Sequence, residues 1–177
     1  MVTRNVLRIG NPTLRRCAAE VPDDWFCSHR LNQLIVDLFD TKLAFSGAGL
    51  AAPQIGELWR VFVIGMGNNP RYPEASPLPE RVLINPVFSS IGDELITGWE
   101  GCLSVPGLRG EVERYQRIHL KWQDPEGGVH SEELEDFHAR VVQHEKDHLD
   151  GILFPDRLTR PTAFGFTDEL KAFGRIP

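Results

Sequence analysis

His144 and His148 stand four residues apart in Gln143-His144-Glu145-Lys146-Asp147-His148-Leu149-Asp150-Gly151, and that spacing constrains the fold of the whole chain. Residues four apart project from one face of a helix, so both imidazoles can reach one metal ion. Glu145, between them, can take a proton from a water polarised by such an ion. The segment from about Phe137 to Leu149 is predicted to be that helix, closed by Gly151 as its C′ glycine. Antiparallel sheets wrapped around it would bury Val141 and Val142 beside the metal site. Two surface histidines beside an acid would match the same pattern by chance at roughly the per-cent level. The metal reading therefore depends on a third ligand and an oxyanion donor elsewhere in the chain.

The remaining elements follow from periodicity. Ser28 is a candidate N-cap for a helix in which Leu31, Leu34, Ile35 and Leu38 recur at helical spacing, with Gly47 as its terminator. Trp59 to Gly65 reads as a buried strand, and Arg81 to Val87 as a strand ending near Asn85-Pro86. Between them, Asn68 to Pro79 is rich in Pro and Asn and is predicted to be a surface loop, an insertion rather than a lid. Ile118, Leu120 and Trp122 alternate with polar residues, and Asp124-Pro125-Glu126-Gly127-Gly128 turns the chain back into Val129 to Leu134, a hairpin. A short final helix is predicted over Thr167 to Phe173. Runs of strands, with a long helix before and after, indicate an α+β domain: antiparallel sheets around the central His144–His148 helix, with an N-terminal helix and a short C-terminal one. Residues 1–177 read as a single domain, since no second core or linker is apparent.

The net charge of −6 argues against a nucleic-acid surface spanning the domain. No apolar run approaches the ~18 residues of a membrane span, and the first residues lack the apolar segment of a secretory signal. Three cysteines, Cys17, Cys27 and Cys102, are no disulfide framework and favour a reducing compartment. Cys17 and Cys27 read as ordinary small residues.

A catalytic site of this type usually has three protein ligands. His29, His119, His130 and His138 read as ordinary solvated or hydrogen-bonded histidines; His138 falls on a different helical face from His144. Cys102, in Trp99-Glu100-Gly101-Cys102-Leu103-Ser104, could supply a thiolate suited to a borderline-soft ion. Spacing alone leaves open whether it does.

Three segments together resemble one family. Gly47-Ala48-Gly49-Leu50-Ala51-Ala52-Pro53-Gln54 resembles the first motif of peptide deformylases, Glu100-Gly101-Cys102-Leu103-Ser104 matches their second, and Gln143 to Gly151 matches their third. Val6 to Pro12 resembles the family's usual opening, so the likeness spans nearly the whole chain. The resemblance implies Cys102, His144 and His148 as metal ligands and Glu145 as general base and acid. It implies the Gln54 side-chain amide and the Leu103 backbone N–H as oxyanion donors. Gly49 and Gly101 would offer backbone groups to an extended substrate, and Glu100 with Arg114 is similar to a supporting ion pair. Arg109, Phe137, Arg140 and Val141 fall where relatives line the pocket and its mouth. Ala48 departs from the bulkier residue usual there, which loosens the expected cleft near the scissile bond.

The implied reaction removes the N-formyl group from the initiator methionine of nascent polypeptides and releases formate. The implied cofactor is one divalent ion, Fe2+ in function, with Zn2+, Ni2+ or Co2+ able to occupy the site. Expected partners are N-formylmethionyl nascent chains, with transient ribosome proximity, no membrane and no specific nucleic acid. The expected setting is the bacterial cytoplasm; a processed organellar form would read the same way. A zinc peptidase shares the His-Glu-x-x-His pattern but often takes a third His or Glu, for which no motif is found. A binding module would need neither Glu145 nor Gln54, and a structural zinc knot would want a fourth ligand.

Overall fold

The computed structural model describes residues 3–67 and 76–176. Helix α1 spans His29–Ala44, and the Ser28 hydroxyl accepts the Leu31 N–H at 3.2 Å as its N-cap. Its Leu31, Leu34 and Leu38 are buried against strands β1 (Gly49–Ala51) and β2 (Val61–Met66). Every residue of β2 is buried, because the strand is covered on both faces. Val61 and Val63 pack with the α1 leucines, while Phe62 and Ile64 pack with Val142 and Leu149 of α2, which spans Asp136–Leu149. Each such apolar side chain contributes roughly 1.5–3 kcal/mol on burial.

Two antiparallel sheets result. The larger has the order β1-β2-β3-β6-β7, with β3 at Leu78–Ser90, β6 at Arg117–Gln123 and β7 at Val129–Glu135. The smaller has the order β4-β5-β8, with β4 at Leu95–Cys102, β5 at Val105–Tyr115 and β8 at Phe164–Phe166. Helix α2 contacts strands of both sheets, and α3 (Thr167–Ala172) packs on β5 and β8. A smaller core of Cys102, Val105, Val112 and Phe154 lies with the second sheet. The architecture is α+β, as the order of elements predicted.

The ends of β3 differ from the sequence expectations. The Pro-rich stretch was expected to remain loop through Pro79, but β3 already begins at Leu78, which is buried and opposite Met66. The same strand does not stop at Asn85-Pro86 but continues to Ser90. The register shifts between Ile84 and Val87, where Asn85 has φ of +49°, so a bulge accommodates the proline's missing N–H. The Asn85 side chain holds the bulge by pairing with both backbone groups of Val21, at 2.8 and 3.0 Å, and by donating to the Gln123 side-chain Oε1 at 2.9 Å. Residues 68–75, on which the choice between insertion and lid turns, lie outside the described residues. The β4–β5 hairpin, β1 and β8 were not foreseen.

Candidate metal centre

The site forms where three local structures meet. The first is the strand edge of Gly47, Ala48 and Gly49 leading into a 3-10 turn over Ala52–Ile55 that carries Gln54. The second is the tight Leu103-Ser104 turn between β4 and β5, with Cys102 as the last residue of β4. The third is the last half of α2. One N-terminal segment joins them through backbone bonds. Leu7 N–H donates to the Gln54 carbonyl, Ile9 N–H to the Ser104 carbonyl and Ala18 N–H to the Leu149 carbonyl, each at 2.8 Å.

Cys102, His144 and His148 each present one ligand atom, and these atoms lie within 4.8 Å of one another. Among the described residues no other His, Cys, Asp or Glu group of this kind occurs. The Cys102 Sγ sits 3.3 Å from His148 Nε2, and His144 Nδ1 is 2.9 Å from Glu100 Oε2. That second bond fixes the His144 ring and leaves its Nε2 for the centre. Burial alone would raise the Cys102 thiol, but the two imidazoles overcome this and hold it well below its ordinary value. Burial would lower His144, yet Cys102 and Glu100 raise it well above its usual range. Cys102 and Glu100 flank the His144 ring, and a thiolate with two imidazoles is a donor set that suits a divalent ion. The residues therefore fit a metal.

Glu145 is buried, and burial pushes its carboxyl up to about 7. Its Oε2 is buried with no hydrogen-bond partner among the described residues, as is His148 Nδ1. An unpartnered buried carboxylate oxygen is costly unless a ligand supplies its partner. Glu145 also explains Gly49: a Cβ there would stand 2.5 Å from Glu145 Oε1.

The Gln54 side chain is nearly fully buried and oriented at both ends. Its Oε1 accepts the Ala51 N–H at 2.9 Å; its Nε2 donates to Ser104 Oγ at 3.1 Å and toward Cys102 Sγ at 3.5 Å. A cleft at this point is lined by Ala48, Gly49, Gln54, Gly101, Leu103, Phe137, Val141 and Glu145, among others. His148 lies beneath it and is fully buried.

Behind the imidazoles is a buried ion network. Arg114 donates to both oxygens of Glu100 at 2.9 Å each, and its remaining nitrogen to Asp147 at 2.5 Å. Arg157 closes on Asp147 with two bonds of 2.6 Å. Burial would raise Glu100, but Arg114 and His144 hold it well below the usual carboxylate range. Arg140 lines the cleft, yet its guanidinium donates to Glu100 Oε1 at 2.9 Å and to the carbonyls of Ile96 and Val112 at 2.6 and 3.1 Å. Its charge is directed to the network. Arg109 lies apart from this cleft and lines a neighbouring one.

The other histidines are elsewhere: His29 and His119 are exposed, His130 pairs with Asp124 at 2.6 Å, and His138 faces the Pro77 carbonyl at 3.1 Å. Sequence reasoning gave no role to Ser104, Asp147, Gln143 or Arg157. The first three stand inside the motif strings, which was the available signal; Gln143 clamps Tyr115 with bonds of 3.0 and 2.9 Å to its N–H and carbonyl. Arg157 carried no signal.

A family model described as polypeptide deformylase matches residues 3–163. The chain is 53% identical to peptide deformylase 1 of Prochlorococcus marinus, over 99% of this chain and 91% of that one. Its fold is similar to the Met-Ala-Ser-bound crystal structure of a class I type b peptide deformylase from Acinetobacter baumannii. That likeness has a TM-score of 0.86 and 39% identity, and covers 89% of this chain and 99% of that one. The peptide deformylase of Thermotoga maritima is similar with a TM-score of 0.79 and 37% identity, over 90% of this chain and all of that one.

Proposed function

The chain belongs to the polypeptide deformylase family, and from that premise we propose that Cys102, His144 and His148 hold its metal and that Glu145 moves the protons of the reaction. The activity is hydrolytic removal of the N-formyl group from N-formylmethionyl peptides, with release of formate. The enzyme is metal-dependent, and Fe2+ is the ion we assign to it in function. The ion supplies Lewis-acid polarisation of the formyl carbonyl and of water when bound.

The chain's own residues do the rest. Glu145 Oε2 accepts a proton from the attacking water, and a carboxyl whose affinity lies near neutrality can then return it to the leaving amine. Water adds to the formyl carbon, the C–N bond breaks, and the amine leaves with the proton that Glu145 carried. Gln54 Nε2, held by Ala51 and Ser104, and the Leu103 N–H stabilise the developing oxyanion. Gly49 and Gly101 accommodate an extended peptide, while Val141 and Phe137 enclose its first side chain. Glu100, anchored by Arg114 and Arg140, keeps His144 oriented.

The observation that carries this reading is the unpartnered, buried Glu145 Oε2 beside three ligand atoms within 4.8 Å of one another. Residues 1–177 act as one unit on newly made chains near the ribosome, in the cytoplasm; among the described residues no helix is long and apolar enough to cross a membrane.

The test is product analysis with anaerobic, Fe2+- or Ni2+-loaded protein and formyl-Met-Ala-Ser. Formate with intact Met-Ala-Ser is expected, and cleavage at an internal peptide bond would move the assignment to a peptidase. Glu145→Ala is expected to keep its metal and lose turnover by about 10³-fold. Near wild-type turnover in that variant would remove Glu145 from the proton path.

A further inference from the structure

Lys42 stands in the last turn of α1, and its side chain is only 5% exposed. Taking an ammonium out of water is costly, and an apolar side chain would fill the same space at less expense of stability. Burial lowers its hold on the proton, and Glu80 and Glu145 oppose that. Glu80 reaches the ammonium only from 3.7 Å and is itself largely exposed, so it repays little of the cost.

What the lysine holds is the start of β1. Hydrogen-bonded pairs in an antiparallel ladder exchange two bonds. Just before β1, Gly65 donates its N–H to the Ala48 carbonyl at 2.9 Å, but the return bond is not made among the described residues. The Gly65 carbonyl instead accepts from the Lys42 Nζ at 2.6 Å. Only glycine suits that place in β2: φ is +146°, and a Cβ would stand 2.5 Å from Glu80 Cγ. The other end of the lysine is tied to the same edge, since its carbonyl accepts the Gly47 N–H at 2.9 Å. A Cβ on Gly47 would stand 3.5 Å from Lys42 Cγ and 3.1 Å from Leu103 Cδ1, so the lysine stem and the β4–β5 turn both close on Gly47.

Gly47, Ala48 and Gly49 line the metal-centre cleft, and β1 is the outer strand of its sheet. Ala48 turns its carbonyl to β2, so Gly49, next along, turns its backbone groups to the open edge. We propose that Lys42 is a positioning residue for the reaction: its ammonium replaces the missing strand bond and fixes the Gly47–Gly49 edge against which the substrate is laid. The role in catalysis rests on the deformylase reading; the hold on the edge does not.

The test is Lys42→Met on the metal-loaded enzyme, which keeps the stem and removes the ammonium. KM for formyl-Met-Ala-Ser is expected to rise about tenfold, as the loss of one hydrogen bond to a charged group allows, while kcat changes less than about threefold. The preference for formyl-Met-Ala-Ser over formyl-Met-amide should shrink by about the same factor. That preference is taken within each protein, so a change in folded fraction cancels. A lysine that merely supported the fold would lose stability on substitution and leave KM and the preference alone. Replacing a buried charge by an apolar side chain is expected instead to leave the urea midpoint unchanged or raised. Lys42→Arg keeps a charged donor and should recover most of the KM. An unchanged KM in Lys42→Met, a Met variant too unstable to assay, or an Arg variant no better than the Met one would each overturn the proposal. Amide hydrogen exchange gives a second readout without turnover. Residues 47–49 should exchange about tenfold faster in Lys42→Met than in the wild type, with the β6–β7 hairpin unaffected. Equal exchange at those residues would also overturn it. Wild-type protein that releases no formate, while Lys42→Met loosens residues 47–49, would sink the deformylase reading and leave the hold on the edge standing.

Discussion

Arginine–carboxylate pairs occur in two settings in this protein, and they do different work. At the metal centre Arg114 and Glu100 have side chains only 3% and 5% exposed and share bonds with Asp147, Arg140 and His144. On the β6–β7 hairpin Arg117 and Glu133 pair at 3.2 Å with side chains 49% and 63% exposed. The surface pair is screened by water and holds nothing but itself. The buried network is costly to desolvate and survives because Glu100, Arg114 and Asp147 each have at least two partners. Its return is orientation: it sets the His144 ring and ties α2 to the smaller sheet. Placement in the fold, rather than residue type, separates a ligand scaffold from surface decoration.

The sharpest way to break this contrast is Glu100→Ala, which removes the carboxylate that Arg114, Arg140 and His144 share. It should destabilise the fold by about 3–5 kcal/mol in urea denaturation, and the protein that remains folded should bind metal about 10–100-fold more weakly. A loss below about 1 kcal/mol would mean that water already reaches the network. Asp147→Asn is the intermediate test. It keeps volume but removes the charge facing Arg114 and Arg157, and about 2 kcal/mol should be lost in the same assay. At the other extreme, Arg117→Ala should shift stability by no more than about 0.5 kcal/mol and leave metal content unchanged. A surface loss equal to the Asp147 one would erase the distinction.

The same contrast explains which parts of the fold were legible in the sequence. The β6–β7 hairpin was readable because Ile118 and Leu120 face the core while His119 and Lys121 face water. Helix α1 was readable for the corresponding reason at helical spacing. The β4–β5 hairpin was not, because its inner face carries Glu100 and Arg114 where the period-2 rule asks for apolar residues. Within it, Gly98 makes room for the Arg140 guanidinium, which a Cβ would meet at 3.0 Å, and Gly110 makes room for Leu158. The motif strings marked the ligand set as a resemblance, and the structure brings those side chains together. They did not disclose that Arg140 turns to Glu100 or that Arg157, from beyond the last motif, completes the network. Those contacts arise from tertiary packing, which leaves no local period in the chain.

The N-terminal segment bonded to Gln54, Ser104 and Leu149 also has a consequence for how the molecule forms. These bonds join residues far apart along the chain, and closing such loops is slow compared with forming a helix or a hairpin. Ala18 can be tied down only after the last stretch of α2 exists. Assembly of the site is therefore expected late in folding. Until then Cys102 stands in an unfinished wall, open to oxidation that the completed fold, by burying it, opposes.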